Sequence, residues 1–283
     1  MLKFARIAAL AVLAGSSAVG ASTVISYPDF SSTAGLQLNG NAAAVGGALR
    51  VTPANFGQAG SAFSTSPVSL ASGASFSTYF QFRFTNPGGA CDGQGCGADG
   101  LVFAVQTVSN NVGGSGGGIG YAGIGNSIGI EFDTWNNGGI DGGSSNHVGI
   151  DLNGSVNSIL RAEVTEADMN NGGIWNAWVD YDSSITTLEV RLTQAAARPT
   201  LAMLSLNRDI ALDLGSTNAF VGFTSGTGSA FANHDVLTWQ LNDNFSPIDP
   251  GQHVPEPGSL ALTGAALLLL AAARRREIGR AHV

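Results

Sequence analysis

The chain has 283 residues, of which 40 are glycine, roughly twice the usual share. Only 11% are charged and 44% are hydrophobic, which excludes a disordered polyelectrolyte, and the glycines keep no three-residue period, which excludes collagen. Between Ser22 and His253 six arginines face eighteen carboxylates, a formal charge of −12; phosphate backbones are repelled, so no nucleic-acid partner is expected, while divalent cations are attracted.

Residues 1–21 read as a secretory signal peptide. Lys3 and Arg6 precede the apolar run 7–14, and Val19-Gly20-Ala21 offers small residues for cleavage. That run falls short of the ~20 apolar residues a membrane-spanning helix needs. Further on, residues 76–84 alternate, placing Phe76, Phe80, Phe82 and Phe84 on one face of a half-buried strand. Strand patterns recur at 101–106, 127–132, 147–151, 177–181, 187–192, 219–224 and 236–241, separated by Gly, Asn, Ser and Asp turn residues. No segment with a 3.6-residue amphipathic period stands out. The expectation is one all-β domain, a sandwich or barrel, over residues 22–241, followed by a linker at 242–253 with Pro247, Pro250 and Gly251.

Cys91 and Cys96 lie in a glycine-rich stretch, and in an exported protein they predict a disulfide closing a small loop. Two thiols cannot complete a four-ligand zinc site. The chemistry concentrates in Ile130-Glu131-Phe132-Asp133-Thr134-Trp135-Asn136-Asn137, followed by Asp141 and His147. Glu131 and Asp133 stand two apart on a predicted strand and so share a face. Like charges there are costly unless paired, protonated or bound to a cation, and no Lys or Arg occurs between Arg83 and Arg161. Carboxylate and carbonyl oxygens suit Ca2+; an added imidazole suits a transition metal such as Mn2+. On these residues alone the cluster reads either as a cation site or as a solvated acidic turn.

At the other end, Val254-Pro255-Glu256-Pro257 precedes the uncharged stretch 259–273 and then Arg274-Arg275-Arg276. This order resembles the PEP-CTERM sorting signal, here residues 254–276 with a short transmembrane helix. The resemblance implies transient insertion in the inner membrane through 259–273 and cleavage by an exosortase. It also implies a Gram-negative bacterium that makes exopolysaccharide, with the product at the cell surface or in the extracellular matrix. Residues 277–283 resemble the translation of a sequencing-adapter read-through and are read as artefactual.

The domain itself resembles the L-type (legume) lectins along nearly its whole length. The matching segments run from Pro28-Asp29-Phe30 and Leu49-Arg50-Val51-Thr52-Pro53 through Ala98-Asp99-Gly100-Leu101-Val102-Phe103 and Gly116-Gly117-Gly118-Ile119-Gly120-Tyr121. They continue with Glu131-Phe132-Asp133-Thr134, His147-Val148-Gly149-Ile150-Asp151 and Trp178-Val179-Asp180-Tyr181-Asp182, and close with Val221-Gly222-Phe223-Thr224 and His234-Asp235-Val236-Leu237-Thr238-Trp239. The resemblance implies a concanavalin A-like jelly-roll β-sandwich holding paired Ca2+ and Mn2+ (or another transition metal) beside a shallow sugar site. Glu131, Asp133, Asp141 and His147 would hold the transition metal. Asp133 and Asp141 would bridge to calcium, joined by the Asn137 side chain and the Trp135 carbonyl. Asp141 precedes His147 by six residues where the family usually has five, which requires a one-residue loop adjustment. For sugar, the resemblance points to Asp99 after a cis peptide, the Gly117 N–H, the Asn137 amide, Trp135 as a ring platform, and small contacts from Ser229 and Ala230. Phe231 would add a second apolar wall. His234, Asp151, Trp175, Trp178 and Trp239 are expected to be structural.

An enzymatic role is not expected. Concanavalin-like endoglucanases use Glu-x-Asp-x-x-Glu, but the third position here is Asn136, and an amide cannot donate and recover a proton. The sequence therefore points to a secreted, surface-sorted, metal-dependent lectin associated with exopolysaccharide, with clustering into oligomers as a route to avidity. A structural or adhesion matrix protein on the same fold, without sugar binding, is the second reading.

Overall fold

The computed structural model describes residues 23–250 apart from Ala71 and Gln94. The expected signal peptide, the end of the linker, the sorting signal with Val254, Pro255, Glu256 and Pro257, and the tail at 277–283 lie outside the described residues.

Sixteen strands run through the described part. They are β1 (Thr23–Tyr27), β2 (Leu36–Gly40), β3 (Ala43–Val45), β4 (Ala48–Thr52), β5 (Ala59–Ser64), β6 (Val68–Ser69), β7 (Phe76–Gly89) and β8 (Gly100–Gln106). Then follow β9 (Ser127–Asp133), β10 (His147–Leu152), β11 (Leu160–Glu163), β12 (Trp175–Asp182), β13 (Thr187–Thr193), β14 (Leu204–Asn207), β15 (Asn218–Gly226) and β16 (Ala230–Asn242). They form two antiparallel sheets. One is ordered β14-β13-β12-β7-β16-β4-β3, with β1 beside β16; the other is β11-β10-β9-β8-β15-β5-β2, with β6 beside β15. Of the sandwich or barrel that the alternating sequence implied, this is the sandwich, and it has the jelly-roll form that the resemblance implied.

The core lies between the sheets. Phe76, Phe80, Phe82 and Phe84 of β7 are all buried in it, and the first three meet Phe103, Phe132 and Phe223 from the opposite sheet. Each fully buried Phe contributes roughly 1.5–3 kcal/mol of transfer free energy. Trp239 is also buried there, its indole N–H donating to Thr78 Oγ1 at 3.0 Å, so the polar atom of that ring is satisfied within the sandwich. Trp175 and Trp178 are fully buried as well.

A second, smaller apolar cluster sits on the other face of the β9-side sheet, where Phe63, Val102 and Ala104 pack under Ile119, Tyr121 and Ile124. It pins the long connection between β8 and β9 onto the sheet. Gly120 makes this possible: its φ is +71°, and a Cβ there would press on Thr224 and Ser225. Thr224 Oγ1 donates to the Ile119 carbonyl at 2.8 Å, and Gly116 N–H to the Thr227 carbonyl at 3.1 Å. The Gly116–Gly118 turn is thereby fixed beside the end of β15. Among the described residues the one α-helix is a single turn, Ile210–Leu214, capped by Asp209, whose carboxylate accepts from the Ala211 N–H.

Candidate functional site

The site grows out of the pairing of β9 with β10. Their register sets Asp133 opposite His147, Glu131 opposite Gly149 and Gly129 opposite Asp151. Ile128, Ile130, Phe132, Val148 and Ile150 face the core, so the intervening residues are directed to the outer face of the sheet. Glu131, Asp133 and His147 bring three ligand atoms within 4.8 Å of one another, all buried. His147 Nε2 lies 3.1 Å from Glu131 Oε1. Gly149 leaves the room: a Cβ there would collide with Ser158 Oγ and Glu131 Oε1. Ser158 Oγ also lies 2.9 Å from Asp151 Oδ1 and within hydrogen-bonding reach of Glu131 Oε1.

Asp141 stands outside that close group but belongs to the same electrostatic cluster. It is buried on the β9–β10 loop, and the Asn137 N–H donates to its Oδ2. The loop is closed by its own side chains. Trp135 N–H donates to Asp133 Oδ1 at 2.7 Å, Asn136 Nδ2 to the Gly143 carbonyl at 2.7 Å, and Gly138 N–H to Asn136 Oδ1 at 2.7 Å. Burial, then the neighbouring Glu131 charge, hold the Asp133 carboxyl well above the usual range. Burial also pushes up Asp141, and Asp151 through burial followed by the Glu131 charge.

Asp99 reaches the same end of the molecule from the start of β8. Its peptide bond with Ala98 is cis, as the resemblance implied. Its N–H donates to the Gly226 carbonyl at 3.1 Å, and its own carbonyl accepts from the Thr134 N–H at 3.0 Å, so it is held between β15 and β9. Burial, with Asp141 nearby, raises its carboxyl to about 7. Around it the loops converge. The Gly117 Cα abuts the Asn137 amide so closely that a Cβ would lie 2.8 Å from Nδ2. A Cβ at Gly228 would lie 3.8 Å from Asp99 Oδ2. Ser229 is exposed, whereas Ala230 is buried against Gly89 at the start of β16; Asn137 is exposed and Trp135 half-buried. Phe231 packs edge-on to the exposed ring of Phe56, with centroids 4.8 Å apart.

Among the buried atoms of this region that have no hydrogen-bond partner within the protein are Glu131 Oε2, Thr134 Oγ1, His147 Nδ1, Asp151 Oδ2 and Asp99 Oδ2. Buried carboxylates stacked on one face carry a large desolvation cost unless a cation or donor meets them. Oxygen donors from two carboxylates beside an imidazole are the donor set that divalent and transition-metal ions take. The residues present fit a metal.

Three contributors escaped the sequence reading. Arg161 of β11 brings the missing positive charge: its Nη1 donates to the Ile140 carbonyl at 3.2 Å, and its guanidinium fills the space over Gly142. Although no Lys or Arg occurs between Arg83 and Arg161, the fold thus brings Arg161 itself to the acidic loop. The signal lay in register, since Arg161 pairs with Gly149 across β10 and β11. Ser158 and Asp92 are the others; Asp92 Oδ2 accepts the Asn136 N–H at 3.1 Å. Cys91 and Cys96 are disulfide-bonded, as expected. His234 is buried, with Nδ1 2.7 Å from Thr52 Oγ1, in keeping with a structural role.

The legume lectin domain family matches residues 22–256. This chain belongs to that family. A lectin alpha chain of Lablab purpureus is 30% identical over 231 residues, covering 75% of this chain and 78% of the relative. The L-type lectin-domain containing receptor kinase VIII.1 of Arabidopsis thaliana is 29% identical over 218 residues, covering 75% of this chain; this chain spans 28% of that relative's length. Among solved structures, basic winged bean lectin with Tn-antigen superposes with a TM-score of 0.64 at 27% identity, covering 78% of this chain and 98% of that one. Legume lectins are non-enzymatic carbohydrate-binding proteins that bind calcium and manganese, and the fold here supports glycan binding.

Proposed function

We propose that the protein is an exported, surface-sorted lectin that requires Ca2+ and Mn2+ to bind glycan, with the exopolysaccharide layer of its host as target. The observation that carries this reading is the set of buried, unpartnered acceptors on Glu131 and Asp99 at one end of the sandwich. In this reading Glu131, Asp133, Asp141 and His147 hold the transition metal. Asp133, Asp141, the Asn137 side chain and the Trp135 carbonyl hold calcium. The two ions supply positive charge that neutralises the acidic cluster and fixes the β9–β10 loop.

The chain's own polar groups then read the sugar. Asp99 Oδ2 accepts from sugar hydroxyls, while the Gly117 N–H and the Asn137 amide donate to sugar oxygens. Directional partners of this kind fix orientation, and the half-buried Trp135 ring offers a surface for an apolar sugar face. Ser229 and Ala230 border the site, and clustering of copies would supply avidity. Export through residues 1–21, and sorting by an exosortase acting at Val254-Pro255-Glu256-Pro257, would place the site outside the cell.

A glycan panel probed with the purified protein tests this, first in Ca2+ plus Mn2+ and then in EDTA. Binding that disappears on chelation and returns on reloading is the expected result. A folded, metal-loaded protein silent across the panel would instead favour a matrix protein on a lectin fold.

A further inference from the structure

We propose that the disulfide-closed turn Cys91–Cys96 positions the calcium and glycan loops, with Asp92 as its positioning residue; this rests on the calcium ligands assigned above. The covalently closed turn meets one segment of the site directly, and the chain on either side of it leads to two more. Asp92 Oδ2 accepts the Asn136 N–H at 3.1 Å, and Asn136 stands between Trp135 and Asn137, the two neutral calcium ligands. Just before the turn, Ala90 N–H donates to the Ser229 carbonyl at 2.8 Å. Just after it, Asp99 follows Cys96 by three residues.

The backbone of Asn136 depends on this contact because the Asn136 side chain is committed elsewhere: its Nδ2 donates to Gly143 and its Oδ1 accepts from Gly138. Asp92 in turn is held by the turn it belongs to. Its N–H donates to the Gly95 carbonyl at 2.8 Å, and the flanking cysteines are bonded. With Gly93 and Gly95 inside it, the open form of this segment would sample many backbone conformations, and the cross-link removes most of them. A carboxylate on a fixed turn can hold a neighbouring N–H in place; one on a free glycine-rich segment cannot. Asp92 therefore acts on calcium through Asn136, without touching the ion.

Calorimetric titration of Ca2+ into the Mn2+-loaded full-length protein tests this, with thermal melts as the check on folding. Asp92→Ala weakens calcium binding by about 10-fold, the usual scale for a residue that orients a metal ligand. Asp92→Asn keeps an oxygen that accepts the same N–H and restores most of the affinity. The Cys91→Ser/Cys96→Ser double variant follows Asp92→Ala; should it fail to fold, the two Asp92 variants decide. Wild-type calcium affinity in folded Asp92→Ala overturns the proposal, and so does an Asp92→Asn variant as weak as the alanine. A wild-type protein that binds no calcium overturns both this inference and the ligand assignment beneath it. Calcium binding that responds to Asp92 in a protein silent toward glycans sustains the inference while the lectin reading fails.

Discussion

His147 Nε2 and Glu131 Oε1 lie 3.1 Å apart on paired strands, with both side chains only 1% exposed. Ser158 approaches the same Glu131 oxygen, and the other oxygen, Oε2, has no protein partner. Such an arrangement is costly as an isolated pair, and it becomes favourable when a cation occupies the space its free acceptors face.

Stripping the metals should therefore destabilise the whole sandwich. An ion held at a concentration 100-fold above its Kd stabilises the folded chain by about 2.7 kcal/mol. Thermal melts in Mn2+ plus Ca2+ and in EDTA should differ accordingly, and His147→Ala should abolish the Mn2+ part of the difference. Identical melts in the two conditions would count against a metal in this cluster.

Gly117→Ala separates the loop that holds calcium and sugar from the transition-metal residues on the strands. A Cβ at Gly117 would lie 2.8 Å from Asn137 Nδ2 and push that amide away from the Asp99 side of the site. Glycan affinity should fall by at least about 10-fold, the equivalent of roughly 1.4 kcal/mol. Mn2+ content measured by elemental analysis should stay unchanged, because Glu131, Asp133 and His147 are on the strands below.

His234 gives the fold an acid sensitivity independent of the metals. Burial lowers its pKa from 6.5 to about 3, so the folded protein keeps it neutral, hydrogen-bonded to Thr52 and edge-on to Phe84. The unfolded chain binds the proton near pH 6.5, so this contribution is complete above that value and is lost as pH falls toward 3. Between pH 7 and pH 4 the loss amounts to about 3 kcal/mol. Urea titrations across that range should show the slope in wild type and a shallower one in His234→Gln.

Much of this was legible in the sequence. Every strand pattern found in the second half of the sandwich and along β7 corresponds to an observed strand, because large alternating side chains there must fill the gap between sheets. The early strands left no such mark. In β3 all three residues are exposed, and β5, Ala59–Ser64, is built of Ala, Gly and Ser with one Phe. Small residues suit close packing under loops but carry no alternation of size. Glu131 and Asp133 were readable because the pattern of two places them on one face, and His147 because the resemblance set it on the next strand. Asp92 and Arg161 were not, since each acts across a fold-dependent contact at a sequence distance that no local pattern encodes.

Arg161→Ala is the direct check on the positive charge that sequence reading missed. Its guanidinium braces the loop over Gly142 and reaches the Ile140 carbonyl, so its loss should loosen the segment that carries Asp141. Metal affinity, measured by manganese electron paramagnetic resonance, should fall about 10-fold. Arg161→Lys keeps the charge but not the planar fork, so it should recover only part of that loss. An unchanged affinity in Arg161→Ala would mean the loop holds Asp141 without this brace.

In a metal-loaded protein, the buried Asp99 carboxylate is expected to accept hydrogen bonds from sugar hydroxyls. Calorimetry with a glycan found on the panel, comparing wild type with Asp99→Asn in Ca2+ plus Mn2+, tests it most directly. The substitution preserves shape while replacing one acceptor oxygen by a donor. Glycan binding should be lost in Asp99→Asn with the fold and metal content intact. Wild-type glycan affinity in that variant would contradict it.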